Sequence, residues 1–372
     1  MLNTDCVHFL LDRPCSFHKQ NKQLCDTCAH YASVTSRARS QKNILIVKLG
    51  AMGDVLRTTF LLPGIVAKWP GARITWLVAA GSEPVLQGNP HLNCIWSLDN
   101  TIYNKLSSHR FDIAINLDLS PESLMLTRAA LATTVIGFTL DEKRRIHSSN
   151  TFASRWLEMS GNDILKKNNI STYQHWMARI VGLPRDDYEI YTPLPKSSVK
   201  KAAAFVRRHG LTDKKIIGVN PGAGKRWKLK RWTSRGYRTI ITRLCDEGYT
   251  ILLLGGKDEE DILTALTKKM KHTVINSGAN NSIPDFFALI NLCSVIITGD
   301  TLALHAALGL KKKVVALFGP TSAPEICLYN RGVKVISPID CVCCYRQSCE
   351  KKPTCMDMIS SGMVLQAVHA CL

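Results

Sequence analysis

From residue 43 onward the chain alternates short apolar runs with stretches of helical periodicity. Ile44–Lys48, Arg73–Val78, Cys94–Leu98, Asp112–Leu117 and Thr133–Gly137 read as strands, and between them Val55–Lys68 and Glu122–Leu131 repeat apolar residues at helical spacing. That order predicts a parallel sheet covered on both faces. Residues 140–180 are more polar and less periodic, and Pro184, Pro193 and Pro195 then punctuate the chain. Ser197–His209 restarts as a helix and opens a second alternation with strands at Lys215–Asn220, Thr250–Gly255, Thr273–Asn276, Val295–Thr298 and Lys313–Phe318. The expected class is α/β: two Rossmann-like parallel-sheet domains joined near 186–200 and facing each other across a cleft. The boundaries that follow are a Cys/His-rich arm at 1–42, an N-terminal domain at 43–190, a C-terminal domain at 191–358 with a Cys-rich segment at 341–355, and a terminal helix at 359–372.

Length and composition fit this plan. The 372 residues allow two cores, and 45% hydrophobic with 21% charged residues is the balance of a globular chain. No apolar run reaches the roughly eighteen residues of a membrane span, and Met1–Cys6 lacks the basic start and apolar core of a secretory signal, so a cytoplasmic protein is expected. The formal charge of +19 calls for an anionic partner, which charge alone leaves open among nucleic acid, a membrane surface and a phosphorylated substrate.

Ligands of such sheets bind beyond the carboxyl ends of the strands, which directs attention to four strand ends. The first is Gly50-Ala-Met-Gly-Asp54, a glycine turn into a helix. A helix start favours a phosphate, yet Asp54 would repel one there. Asp54 is therefore either a helix cap or a general base aimed into the cleft. The second is Asn220-Pro-Gly-Ala-Gly224, followed by 225–231, where five of seven residues are basic. Its glycines, Gly222 among them, let the backbone approach a ligand, and a loop in this place suits a di- or polyphosphate. The third, Leu254–Asp261, is a glycine turn with an acidic first helical turn that includes Glu259. The fourth is Thr298-Gly-Asp-Thr-Leu-Ala-Leu-His305, where Thr301 and His305 share one helical face. Its free N–H groups can take a phosphate, and Asp300 and Thr301 can bind hydroxyls.

Together, Gly50-x-x-Gly-Asp54, Lys230-Arg-Trp232, Gly299-Asp-Thr-x-x-x-His305 and Phe318-Gly-Pro-Thr321 resemble glycosyltransferase family 9, the ADP-heptose:lipopolysaccharide heptosyltransferases, over residues 43–360. The resemblance implies a GT-B fold and inverting transfer with no cofactor required for catalysis. It implies a nucleotide-sugar donor, ADP-heptose, held by the C-terminal domain, and a lipopolysaccharide core or related glycan as acceptor. Peripheral contact with an anionic inner-membrane surface would then accompany the cytoplasmic location, and nucleic acid is not an expected partner. By motif, Asp54 looks like the catalytic base, with Gly50, Gly53 and Arg57 on the acceptor side. Lys230 resembles the lysine that neutralises the donor pyrophosphate, and Gly222, Glu259, Asp300, Thr301, His305, Gly319 and Thr321 fall on the donor side. Many relatives have glycine where this chain has Leu302, a departure that alters backbone approach to the donor.

The fourteen cysteines are clustered. Cys6, Cys15, Cys25 and Cys28 lie in the arm with His8, His18 and His30, and only Cys25-x-x-Cys28 has the spacing of a metal knuckle. Cys341, Cys344, Cys349 and Cys355 form a denser set with Cys343. A similar run recurs in the family, one branch of which holds iron there, so structural zinc or iron is expected at this second cluster, while the cysteines of the arm are either zinc or iron ligands or plain reduced side chains. Three rival functions remain at this level. One is transfer of another sugar or to a protein. Another is a metal-containing nucleic-acid-binding protein built on the basic loop with Trp227 and Trp232. The third is a nicotinamide oxidoreductase, which the missing G-x-G-x-x-G disfavours.

Overall fold

The computed structural model describes residues 1–10, 12–33, 41–224, 227–268, 270 and 274–372. Lys225 and Arg226 of the basic loop and Thr273 of the expected strand lie outside the described residues. The first sheet contains β1 (Asn43–Lys48), β2 (Arg73–Val78), β3 (Cys94–Ser97), β4 (Ile113–Asn116), β5 (Thr134–Leu140) and β6 (Ile146–Ser148), in the order β3-β2-β1-β4-β5-β6. All neighbours pair parallel except β6, which runs antiparallel to β5. The second sheet contains β7 (Ile216–Asn220), β8 (Thr250–Leu253), β9 (Ile275–Asn276), β10 (Val295–Gly299), β11 (Lys313–Phe318) and β12 (Gly332–Ile336). It is parallel throughout, in the order β12-β11-β10-β7-β8-β9. Both sheets thus reverse direction between their first and fourth strands, at β1/β4 and at β7/β10. That switch point is where open α/β sheets bind ligands. The α/β, GT-B expectation holds.

Burial explains the central strands. Ile44 to Val47 in β1, and all of β10, are buried, as a strand covered on both faces must be. The long helix expected over Val55–Lys68 is instead two, Met52–Thr58 and Leu61–Lys68. Pro63 has no N–H for the Thr59 carbonyl, and the Thr59 hydroxyl bonds back to the Leu56 carbonyl at 2.7 Å. The polar stretch after residue 140 is also more regular than its periodicity indicates. It holds β6 and three helices, Thr151–Ser160, Asp163–Lys167 and Tyr173–Val181. Their N-caps are Asn150, Asn162 and Thr172, whose side chains accept from the first-turn N–H groups.

One hydrophobic cluster runs from the first sheet into the second, joining Ile46, Val55 and Tyr173 to Leu304, Ala306 and Leu308. The helix Met52–Thr58 packs directly on the helix Leu302–Gly309 of the other domain. No helix among the described residues is long and apolar enough to cross a membrane.

A close approach within the first sheet gives a test of this packing. Gly137 in β5 has φ +90°, and a Cβ there would lie 1.9 Å from the Asn116 carbonyl oxygen. Gly137→Ala combines a clash with left-handed strain, and we expect it to cost about 2 kcal/mol or more, read as a lower midpoint in urea unfolding.

Candidate active site

The two switch points face each other. Between them lies a cavity of about 760 Å³ lined by Gly50, Gly53, Asp54 and Arg57 from one domain and Gly222, Lys230, Glu259, Asp300, Thr301 and His305 from the other. These ten sequence-predicted residues therefore come together. Gly319 and Thr321 are not among the lining residues. A Cβ on Gly319 would sit 2.6 Å from Cys355 Sγ, so this glycine accommodates the packed Cys-rich segment, and Thr321 is buried behind the wall. Ser322 and Glu325 line the cavity in their place.

The turn after β1 has its backbone donors occupied by protein. Asp118, which follows β4, accepts from Gly50 N–H at 3.0 Å, from Leu49 N–H at 2.5 Å, and from the Lys48 ammonium. Lys48 is held charged: burial works against the ammonium, but Asp118, Tyr173 and Asp54 together more than offset it. A glycine turn with its N–H groups committed to a carboxylate does not cradle a phosphate in the usual way.

Asp54 lies in the first turn of its helix, while the N-cap is Ala51. Its carboxylate takes an ion pair from Arg57 at 2.9 Å and keeps 39% of its exposure, toward the cleft. Burial pushes its pKa up, but the Arg57 and Lys48 cations outweigh this and hold Asp54 below the ordinary carboxylate range. The Arg57 guanidinium rests 3.8 Å from the centre of the Tyr173 ring.

On the facing wall, Asn220 at the end of β7 accepts from Thr298 at 3.1 Å and from Thr301 at 3.3 Å, and donates to the Leu254 carbonyl at 2.9 Å. It thereby fastens the ends of three strands. Lys230 donates to Asp300 Oδ2 at 3.0 Å. Burial raises the Asp300 pKa, yet Lys230 and its other charged neighbours bring it down to about 2. The His305 pKa is also lowered, to about 4, by burial and then by the Arg57 charge, so its ring is neutral near pH 7. The helix beginning at Leu302 has no acid in its first turn, and Thr301 gives it no side-chain cap, so its leading N–H groups point at the cavity unopposed. Glu259 receives Gly256 N–H at 3.1 Å and Gly224 N–H at 3.3 Å, pinning the two glycine loops together.

Several residues in the wall or supporting it from behind were not singled out from sequence. Asp118 had a readable signal, an acid directly after a strand, as at Asp300. Asn220 had a similar signal, closing a strand at the second glycine turn, whereas Lys48, Tyr173, Glu325 and Tyr345 had none, because their places depend on distant segments. Tyr345 comes from the Cys-rich segment, lines the cavity, and accepts Ser322 N–H at 3.2 Å. Burial raises the Glu325 pKa above its ordinary value, against the pull of Arg57.

The metal expectation requires correction. Cys6, Cys15, Cys25 and Cys28 border one cavity of about 360 Å³. Among the described residues, however, no three Cys, His, Asp or Glu side chains converge as a metal ion demands, there or at Cys341, Cys344, Cys349 and Cys355. Burial, then the neighbouring Cys344, pushes the Cys355 thiol up to about 11. The sequence spacing brings these thiols near one another without aiming them at a common point.

Comparison with known proteins gives a consistent picture. Residues 101–355 match glycosyltransferase family 9 (heptosyltransferase). Lipopolysaccharide heptosyltransferase 1 of Pseudomonas aeruginosa is 23% identical over 342 residues, 84% of this chain and 88% of that protein. A glycosyl transferase family 9 structure from Veillonella parvula superposes with a TM-score of 0.74 at 19% identity, over 89% of this chain and 97% of that one. The E. coli heptosyltransferase WaaC with ADP-2-deoxy-2-fluoro heptose gives a TM-score of 0.57 at 17% identity, over 89% and 100%.

The buried neutral His305 makes stability depend on pH. Its pKa is lower folded than unfolded, so its contribution is complete above about 6.5 and is lost as pH falls toward about 4. We expect the denaturant midpoint to drop between pH 7 and pH 5, with a smaller drop in His305→Gln, measured by chemical unfolding at each pH.

Proposed function

Because the chain belongs to glycosyltransferase family 9, the heptosyltransferases, and is a glycosyltransferase, we propose that it moves heptose from ADP-heptose to a lipopolysaccharide core or related glycan, with inversion and with Asp54 as general base. The observation that carries this reading is the opposition across one cleft of a carboxylate, Asp54, and a helix with no acid in its first turn, flanked by Lys230. The first can take a proton. The second can take a diphosphate.

The acceptor oxygen bonds to the anomeric carbon as its proton passes to the Asp54 carboxylate. The bond from that carbon to the diphosphate oxygen breaks, and its electron pair leaves on ADP. Attack opposite the leaving group inverts the configuration. Lys230 and the leading N–H groups of the helix Leu302–Gly309 take the charge that grows on the diphosphate. Asp300 and Thr301 bind hydroxyls of the donor, His305 stays neutral beside them, and Gly222 and Glu259 shape the nucleoside end. We assign the acceptor to residues 43–190 and the donor to 191–358, with Gly50, Gly53 and Arg57 bordering the acceptor. The heptose analogue bound to the E. coli neighbour and the lipopolysaccharide named for the Pseudomonas relative support this donor and this acceptor. The charge of +19 supports peripheral contact with an anionic membrane surface.

Asp54→Asn keeps the size of the side chain and removes the base. We expect a melting temperature and donor affinity near wild type, with turnover reduced at least about a hundredfold. Turnover within a few-fold of wild type would leave Asp54 a structural residue. For the donor, ADP-heptose should raise the melting temperature, and Lys230→Ala should weaken that shift. Stabilisation by UDP- or GDP-sugars, with none by ADP-sugars, would refute the choice of nucleotide.

A further inference from the structure

Asp54 stands on a two-turn helix whose cap residue makes no side-chain bond, so its direction depends on contacts from outside that helix. Two of them lead to one residue. Arg57, paired with the Asp54 carboxylate at 2.9 Å, lies on the face of the Tyr173 ring at 3.8 Å. The Tyr173 hydroxyl is 2.7 Å from Thr58 Oγ1, and Thr58 in turn donates to the Asp54 carbonyl at 2.6 Å. Thr58 spends its single hydroxyl proton on that carbonyl, so Tyr173 is the donor in the pair they form.

We propose that Tyr173 is a positioning residue for Asp54, holding its carboxylate through Arg57 and its backbone through Thr58. The inference rests on the general-base reading of Asp54. Tyr173 is suited to the task because it is itself fixed. It is 2% exposed, opens the helix Tyr173–Val181, and donates its own N–H to the Glu325 carbonyl of the second domain at 2.9 Å. The base is thereby keyed to the wall that holds the donor. A ring face keeps a guanidinium in place by attraction to its quadrupole without competing for the carboxylate. Arg57 therefore stays where it holds Asp54 ionised.

The charged groups facing Asp54 are Lys48 and Arg57 from its own domain and Asp300 and His305 from the other, and Glu325 faces Arg57. Of the cations, Arg57 acts most strongly on Asp54. Loosening it leaves burial less opposed, so the Asp54 titration moves to higher pH.

The test follows the Asp54 carboxylate by carbon-13 NMR, its resonance assigned by its loss in Asp54→Asn, together with the pH profile of ADP-heptose turnover. Tyr173→Leu removes the ring; we expect the Asp54 midpoint to move upward in the direction seen for Arg57→Gln. Turnover should fall by about tenfold or more, with donor affinity within about twofold of wild type. Tyr173→Phe keeps the ring and loses the hydroxyl, so the midpoint should stay while turnover falls severalfold. If Tyr173→Leu does not fold, Tyr173→Phe decides by its turnover. A folded Tyr173→Leu with the wild-type Asp54 titration, or a Tyr173→Phe with wild-type turnover, overturns the proposal, with one exception. If the Asp54 titration shifts in Tyr173→Leu while turnover is unchanged in that variant, in Tyr173→Phe and in Asp54→Asn, Tyr173 keeps its role on Asp54 and the general-base reading fails instead.

Discussion

The structure depends on one close contact, the start of the Met52–Thr58 helix against the start of the Leu302–Gly309 helix. A Cβ on Gly53 would lie 3.1 Å from the His305 ring and 3.5 Å from the Leu302 backbone. The first distance is tighter than most Cβ contacts and the second is an ordinary one, so glycine lets the two helix ends meet without pressing on the His305 ring. With these ends pressed together, the switch points of two separate sheets face one cavity. Asp54 and Asp300, each just past a strand, then share that cavity. A larger residue at 53 would press on the His305 ring, where the two halves of the site meet.

Bringing carboxylates together in a protein interior is costly unless cations accompany them. Asp54 is matched by Arg57, Asp118 by Lys48, and Asp300 by Lys230. The pairing also divides the labour between the two helix starts. On the first, Asp118 occupies the N–H groups of the glycine turn and Asp54 stands over the dipole, so the positive end is already neutralised. On the second, Asp300 precedes the helix and is held by Lys230, and the leading N–H groups remain available. Two similar sheets thus present opposite electrostatic faces to one cleft: one suits proton removal, the other an anion.

The segment between the sheets does more than connect them. Its helix Tyr173–Val181 contributes to the core of the first domain and meets the second through the Tyr173–Glu325 backbone bond. Glu189 in the following extended stretch takes both terminal nitrogens of Arg331, at 2.8 and 2.6 Å. The Cys-rich segment reaches back in the other direction, placing Tyr345 beneath the Lys166 ammonium at 4.8 Å. The cleft is therefore bordered by side chains from four regions far apart in sequence.

The central strands of both sheets, the glycine turns and the acids at Asp54, Glu259 and Asp300 were legible in the sequence. Each depends on a local property: an unbroken apolar run, a residue permissive of close approach, or a charge at a strand end. The helices between 151 and 181 were not, because their apolar faces are short and the cap residues Asn150, Asn162 and Thr172 were a weaker signal than periodicity. Gly319 and Thr321 sit beside the right strand, but Gly319 packs against the Cys-rich segment and Thr321 is buried away from the cavity, a matter of tertiary packing that motif spacing does not carry. The thiol clusters differ from a metal site for the same reason. Asp118, Tyr173 and Glu325 are tied to the site by residues about 70 to over 250 positions away. Sequence alone determined the two sheets and the chemistry at their edges. Tertiary packing decided which edges meet, since charge balance and buried contacts are settled between segments and not within them.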